Sequence, residues 1–381
     1  MSIVAPVVIP EILQARLRRT AETAGVAGMD ALVVSPGSDL RYLIGVAGGS
    51  FERLTSLVLP ATGAPVLVVP KLELPGYAEV PAEDLGLDVV TWVDGQDPYR
   101  MVADLLGGTG SAPKRVGISD TTMATHVLRI RDALPGTEQV LAGPVLRELR
   151  MRKDASEVAA LRSAGAAIDR VHARMGEWLR AGRTEAAVAG DIATAIVAEG
   201  HTCAEFVIVG SGPNGASPHH DASDRVIEAG DVVVIDIGGP VPEGYNSDST
   251  RTYAVGTPRD QDVAACYAVL RAAQQAAVEA VQPGVTAHEV DETARKIITE
   301  AGLGEYFIHR TGHGIGLDVH EEPYIVAGND LVLEPGMAFS VEPGIYLPER
   351  WGARIEDIVV VTEDGVLSVN ERPHELAVLP A

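Results

Sequence analysis

An internal repeat constrains this chain more than any other feature. Gly182-Arg183-Thr184 opens a helical run that closes at Glu199-Gly200, and Gly284-Val285-Thr286 opens another that closes at Ala301-Gly302. Eighteen residues separate the first glycine from the last in both. Further on, Glu228-Ala229-Gly230 leads into the apolar run from Val232 to Gly238. Glu334-Pro335-Gly336 leads likewise into the run from Ala338 to Gly344. A carboxylate, Asp236 or Glu342, falls eight residues after the leading glutamate each time, with a glycine two further on. Two coincidences in matching order predict two related halves, roughly 157–256 and 262–363.

Those carboxylates sit inside apolar, strand-like runs, where an ionised group is costly unless a cation holds it. The link Gly238 to Gly244 is rich in turn residues, and the chain returns through Tyr245 to Tyr253. Asp236 and Asp248 are therefore expected to face each other across a hairpin-like pair. Leu347 to Gly352 turns the chain in the second half, so Glu342 and Glu356 should face each other in the same way. Packing the halves about a pseudo-twofold axis brings four carboxylates to one spot. They cannot share a cleft while ionised without cations. Two divalent metal ions roughly 3.5 Å apart satisfy that requirement. With one histidine the donor set is hard and oxygen-rich. It suits Mn²⁺ first, with Co²⁺, Fe²⁺ and Zn²⁺ as alternatives.

Several histidines could complete the set. His309, His313 and His320 lie in one glycine-interleaved run. His313 and His320 would be about 23 Å apart in a straight strand, so both reach one site only if the chain bends at Gly314 and Gly316. His219 and His220 end a glycine-rich loop, Gly210 to Gly215, just before the first carboxylate strand. Loops of this kind commonly serve substrates. The loop lacks the lysine of a phosphate loop, which argues against nucleotide binding. Blander readings exist. Asp236 could be a strand-end turn residue, Glu356 and Asp357 a solvated pair at an edge strand, and Arg251 a structural anchor of the hairpin.

The first 150 residues read differently. An amphipathic helix over 11–26, with Ile12, Leu13, Leu17 and Ala21 on one side, precedes strands at Ala31–Val34, Leu54–Leu59, Pro65–Val69, Asp88–Val93 and Arg115–Ile118. This alternation predicts an α/β domain over residues 1–150 without a catalytic constellation. Its histidine, His126, is expected to be structural. The charged run Arg147 to Asp154 reads as a solvated boundary, and residues 151–381 as the second domain. There Asp154 and Glu157 have capping-box spacing, ahead of a helix with Val158, Leu161, Ile168, Val171, Met175 and Trp178 on its apolar stripe.

The formal charge is −23, with 53 Asp and Glu against 30 Lys and Arg. Nucleic acid and anionic membrane surfaces are therefore unfavourable partners. Two cysteines, Cys203 and Cys266, cannot build a disulfide framework and are expected to be buried small apolar residues. The start, Met1 to Pro10, lacks a basic segment and does not read as a signal peptide. No apolar run approaches the ~20 residues of a membrane span. A cytoplasmic location is the expectation.

Asp236, Asp248, His313, Glu342 and Glu356, in this order and context, resemble the ligand set of the pita-bread metallopeptidases. Within that family the chain is similar to the Xaa-Pro dipeptidase (prolidase) and Xaa-Pro aminopeptidase branch. The similarity covers residue 151 to the end, and an amino-terminal α/β domain also belongs to that branch. The resemblance implies an α+β fold class, in which a creatinase/prolidase-like N-terminal domain precedes a pseudo-twofold pita-bread catalytic domain. It implies that Asp236 chelates one metal, that Asp248 and Glu356 bridge two, and that His313 and Glu342 complete the other. Glu342 would also shuttle the proton from water to the leaving nitrogen. His219 and His320 would contact the substrate carbonyl, and Arg354 would hold the glutamate or a substrate carboxylate. His309 would lie near the substrate's amino end. The spacing of Asp236 and Asp248 is one residue longer than in many members, which puts the turn geometry in question. The implied substrate is a small peptide with proline at its second position, and the implied assembly a homodimer. Xaa-Pro dipeptidase is the first reading and Xaa-Pro aminopeptidase the alternative. A metal-free creatinase-like hydrolase or peptide-binding module on the same fold comes third.

Overall fold

The computed structural model describes residues 9–49, 52–107 and 112–381, so the reading of the first eight residues lies outside it. The chain divides between Arg150 and Met151 into two compact units.

The first unit contains α1 (Pro10–Val26), β1 (Ala31–Val34), α2 (Ser38–Ile44), β2 (Ser56–Pro60), β3 (Val66–Pro70), α3 (Ala82–Leu85), β4 (Asp88–Trp92), α4 (Pro98–Gly107), β5 (Arg115–Ile118), α5 (Ala124–Ala133), β6 (Glu138–Leu141) and α6 (Gly143–Arg150). Its six strands form one sheet in the order β4-β3-β2-β1-β5-β6. The five expected strands are present. The sixth, β6, escaped notice because Glu138 and Gln139 break any apolar run. Helix α1 buries Leu13 and Leu17 as expected, but Arg16, Thr20 and Ala24 share that face in place of Ile12 and Ala21. Arg16 is accommodated by stacking on the Tyr42 ring, 4.3 Å from its centroid. His126 is buried and hydrogen-bonds the Tyr99 hydroxyl at 2.9 Å.

The second unit begins with α7 (Ala155–Ala173) and α8 (Glu185–Ala198), then β7 (Phe206–Ser211), β8 (Val232–Pro240) and β9 (Asn246–Val255). The pattern restarts with α9 (Val263–Ala280) and α10 (Ala287–Glu300). It continues through β10 (Gly312–Gly314), β11 (Glu321–Ile325), β12 (Ala338–Val341), β13 (Gly344–Leu347), β14 (Trp351–Arg354) and β15 (Asp357–Thr362). Two short strands, β16 (Gly365–Ser368) and β17 (Ala377–Leu379), close the chain.

The repeat survives at the level of single turns. Thr184 and Thr286 are the N-caps of α8 and α10, each preceded by a glycine with positive φ, 84° at Gly182 and 93° at Gly284. Isolated bridges tie the same threonines to Val226 and Val332. Asp154 and Glu157 form the expected capping box on α7. The charged boundary is not solvated throughout: Met151 and Lys153 are buried, and Lys153 Nζ pairs with Glu321 Oε1 at 2.6 Å. Cys203 is exposed rather than buried, because it sits in the link between α8 and β7; Cys266 is buried on α9.

Strand alternation puts the chemistry on one face. Odd residues Val233, Ile235 and Ile237 of β8 and Tyr253 and Val255 of β9 pack into the first half's core. In the second half Phe339, Val341, Trp351, Ala353, Ile355, Val359 and Val361 do the same. The even positions Asp236, Asp248, Thr250, Glu342, Arg354 and Glu356 are left to the opposite face.

The pairing differs from expectation in one respect. Asp236 stands opposite Thr250, and Asp248 opposite Gly238, so the two aspartates are diagonal and not directly across. The hairpin link closes by hydrogen bonds from Val241 to Tyr245 and from Gly244 to Val241, with Gly244 at φ 90°. The turn is therefore centred on Glu243 and not on Pro242. A shift of two keeps both side chains on the same face, whereas a shift of one would have expelled one of them. In the second half the ladder is broken in two, β12 with β15 and β13 with β14. Both pieces keep one register, and Glu342 and Glu356 occupy matching positions at the break.

Candidate metal centre

The two halves are joined through their carboxylate strands. Glu356 N donates to Thr250 O at 3.1 Å, and Thr252 Oγ1 bonds both the amide and the carbonyl of Arg354. Arg251 adds a buried pair with Asp357 at 2.7 Å and a bond to the Glu356 carbonyl. Glu356 and Asp357 are each 1% exposed, so the solvated-edge reading does not hold.

Three overlapping groups of donors result: Asp236, Asp248 and Glu356; His313, Glu342 and Glu356; and Asp248, His313 and His320. Within each group, donor atoms lie within 4.8 Å of one another. Glu356 belongs to the first two. His313 Nε2 stands 3.3 Å from Glu342 Oε1 and 3.6 Å from Asp248 Oδ2. Its Nδ1 bonds the Gly314 carbonyl at 3.1 Å. A carbonyl accepts, so Nδ1 carries the proton, and in the neutral ring Nε2 turns a lone pair toward two carboxylates. Burial, then the nearby His320, holds His313 down to about 3, so the ring is neutral. A lone pair facing carboxylates is unfavourable without a cation between them.

The carboxylates tell the same story. Burial, then the charges of Glu356, Asp236 and Glu342, pushes Asp248 well above the ordinary range. Glu356 is raised likewise, by burial and then by Glu342 and Asp236. Glu342 is pushed up to about 7 by burial, against the pull of Arg354. Asp236 Oδ1 is buried and has no hydrogen-bond partner among the described residues. An orphaned carboxylate oxygen, a lone pair aimed at acids and an oxygen-rich donor set all fit divalent cations.

A network of hydrogen bonds fixes these groups. Thr250 Oγ1 donates to Glu356 Oε2 at 2.7 Å, and Ser340 Oγ to Glu342 Oε1 at 3.2 Å. Arg354 is 1% exposed. Its Nη2 holds Asp236 Oδ2 at 2.6 Å, its Nε bonds Thr250 Oγ1, and its Nη1 bonds the Tyr346 hydroxyl at 2.7 Å. Among the described residues it grips Asp236, with Glu342 Oε2 3.9 Å from its Nε, and not Glu356. His309 Nδ1 bonds the Arg310 carbonyl, and its Nε2 lies 2.9 Å from the Tyr346 hydroxyl. With Nδ1 as donor, the tyrosine O–H must donate to Nε2 while its oxygen accepts from Arg354. Burial, followed by the charge of Arg354, holds His309 down to about 4, in keeping with a neutral ring.

The other histidines separate clearly. The chain bends after His313, where β10 is bulged, and returns in β11, so His320 arrives beside His313 with ring centroids 4.0 Å apart. A Cβ at Gly314 would collide with the Glu322 carbonyl, so glycine is required at that bend. His219, His309 and His320 line, with the five donors, a cavity of about 990 Å³. His220 turns away and bonds Glu185 Oε2 at 2.8 Å. Glu185, fully buried, also accepts from Ser211, Asn214 and Ser223. It braces the loop that presents His219.

Tyr346, Thr250, Ser340 and Glu185 were not singled out from sequence. Thr250 and Ser340 carried a usable signal, since each lies two residues from a carboxylate and therefore on its face. Tyr346→Phe removes the link between His309 and Arg354. It should lower kcat/KM by about 10- to 100-fold without unfolding the protein. Steady-state kinetics with a melting curve would check this, and unchanged kcat/KM would refute it.

Residues 159–363 match metallopeptidase family M24. The chain belongs to this family. Residues 16–152 match the creatinase/prolidase N-terminal domain. The M24 peptidase is 61% identical to the probable dipeptidase PepE of Mycobacterium tuberculosis over 97% of both chains. It is 39% identical to the Xaa-Pro dipeptidase of Lactobacillus delbrueckii subsp. lactis, over 93% of this chain and 96% of that one. The crystal structure of dipeptidase PepE from Mycobacterium ulcerans superposes with a TM-score of 0.93 at 60% identity, covering 98% of this chain and 99% of the other. The M24 peptidase is thus a hydrolase of the metallopeptidase class with the pita-bread fold, and its family implies divalent metal ions. No helix among the described residues is long and apolar enough to cross a membrane.

Proposed function

We propose that this M24 peptidase is a two-metal Xaa-Pro dipeptidase. The observation that carries the reading is the pair of donor groups that share Glu356 in the cavity. Asp236, Asp248 and Glu356 would hold one ion, and His313, Glu342, Glu356 and Asp248 the other. Mn²⁺ is the preferred ion for such a hard set, ahead of Co²⁺, Fe²⁺ and Zn²⁺. When bound, the ions supply Lewis acidity and make water nucleophilic near neutral pH. Glu342 takes the proton from the attacking water and delivers it to the proline nitrogen as the peptide bond breaks. His219 and His320 steady the substrate carbonyl as its oxygen gains charge. His309 lies at the substrate's amino end. Arg354 holds Asp236 in its coordinating orientation. We infer also a homodimer resident in the cytoplasm.

The experiment is a chelated protein reloaded with Mn²⁺ and assayed on Ala-Pro and Ala-Pro-Ala. Metal-dependent turnover of Ala-Pro and little of the tripeptide is expected. Strong cleavage of the tripeptide at its first bond would make the enzyme an Xaa-Pro aminopeptidase. Full activity without metal would sink both readings.

A further inference from the structure

Arg251 is buried on β9 and does not line the cavity. Strand alternation puts it on the face of β9 opposite to Thr250, behind the carboxylates. Its guanidinium has five N–H groups, and all five are used. Nη1 donates to the carbonyls of Thr250 at 2.9 Å and Glu356 at 2.7 Å. Nη2 donates to Asp357 Oδ1 at 2.7 Å and to the Arg372 carbonyl at 2.8 Å, and Nε to the Pro373 carbonyl at 3.1 Å. Among these acceptors Thr250 alone belongs to the hairpin that carries Arg251. An anchor of that hairpin would bond within it. This side chain instead joins the hairpin to Glu356 and to the segment that follows β16. The far side of Asp357 is held as well. Its Oδ2 accepts from Gln274 Nε2 at 3.2 Å and from His374 Nε2 at 2.5 Å. The His374 carbonyl accepts in turn from the Tyr267 hydroxyl at 3.0 Å.

We propose that Arg251 is the positioning residue of Glu356, with Asp357 and His374 as its outer support. This rests on the two-metal reading, in which Glu356 serves both ions. The Thr250 carbonyl receives both Glu356 N and Arg251 Nη1, and the Thr250 hydroxyl holds Glu356 Oε2. Arg251 therefore locks the Thr250–Glu356 pair from behind, while the Glu356 carboxylate faces the cavity. Asp357 meets the charge of Arg251 directly, so what the arginine supplies to the centre is geometry. A planar fork can fix two carbonyls and a carboxylate at once, which an ammonium cannot do. A shared donor that shifts is misplaced for both ions together. Loss of Arg251 is therefore read in metal affinity and not only in melting point.

The test is calorimetric titration of the chelated protein with Mn²⁺, beside melting curves. Arg251→Lys should weaken binding at both ion positions by about 10- to 100-fold. His374 has a side chain 34% exposed and does not line the cavity. His374→Ala leaves Gln274 on Asp357, so the fold should hold while Mn²⁺ binds about 3- to 10-fold more weakly. Ile298→Val trims the core of the same unit far from this network. It should lower the melting point and leave Mn²⁺ affinity at the wild-type value. A His374→Ala protein with wild-type affinity overturns the assignment, whether or not Arg251→Lys folds. Equal weakening in Ile298→Val overturns it too, because affinity would then follow stability alone. A wild-type protein that binds no Mn²⁺ would instead sink the two-metal reading.

Discussion

Glu356→Gln is expected to lower kcat/KM by about 10³-fold or more, roughly 4 kcal/mol of transition-state stabilisation. Glu356 is the residue shared by the two donor groups proposed to hold the ions, and it is 1% exposed. Glutamine has nearly the same shape, so Thr250 can still bond it. It lacks the charge and one of the two oxygens, so both ion positions lose a donor at once. Asp236→Asn affects one group only and should leave one ion position occupied. Metal analysis beside kinetics would separate the two variants. The same substitution makes a second, opposite prediction. Without metal, Glu356 is a carboxyl raised by burial and by its acidic neighbours, so the glutamine variant should melt higher than the chelated wild type. Function gained at the expense of stability has this signature. A Glu356→Gln protein that binds two ions and keeps a tenth of its activity would sink the assignment.

Removing the metal should make stability fall as pH rises above neutrality. Glu342 sits at about 7 in the fold, and Asp248 and Glu356 well above their ordinary values, all chiefly through burial. Their folded values exceed their unfolded ones. Their contribution is therefore complete below about pH 4 and is lost as pH climbs through the folded values. The buried histidines act in the opposite sense. His172 and His313 lie at about 3 and His309 at about 4. Their folded values are depressed, so they weaken the fold as pH drops below about 6.5. Between about pH 7.5 and 8.5 the histidines are neutral in both states, and the carboxylates alone act. Glu342, at about 7, has given up nearly all of its roughly 3–4 kcal/mol by about pH 7.5, so the fall in melting point across that window rests on Asp248 and Glu356. Mn²⁺ should cancel the loss, with proton release measurable by calorimetry in buffers of different ionisation enthalpy. A chelated protein whose melting point is flat or rises across that window would contradict the charge arrangement.

Much of the site was legible before any coordinates. Acids in apolar strands and a repeat of glycines and threonines are local signals. They depend on strand alternation and on backbone angles that few residues other than glycine accept. They placed Asp236, Asp248, Glu342 and Glu356 on one face because face depends only on residue parity. Register does not follow from parity. It was settled by the turn at Val241–Tyr245, and there the expected facing of Asp236 and Asp248 slipped by two.

Fold class, the two halves and the set of acids and histidines that could meet follow from residue pattern alone. The use of each cation and each ring came from packing. Arg354 and Arg310 read alike in a sequence, two basic residues near candidate donors. One is buried against Asp236 and Tyr346 from distant strands; the other rests on the Tyr324 ring. His219 and His220 are adjacent, yet one lines the cavity and the other is taken by Glu185. These outcomes depend on partners up to a hundred or more residues away, whose positions follow from packing of the two halves and not from any local pattern.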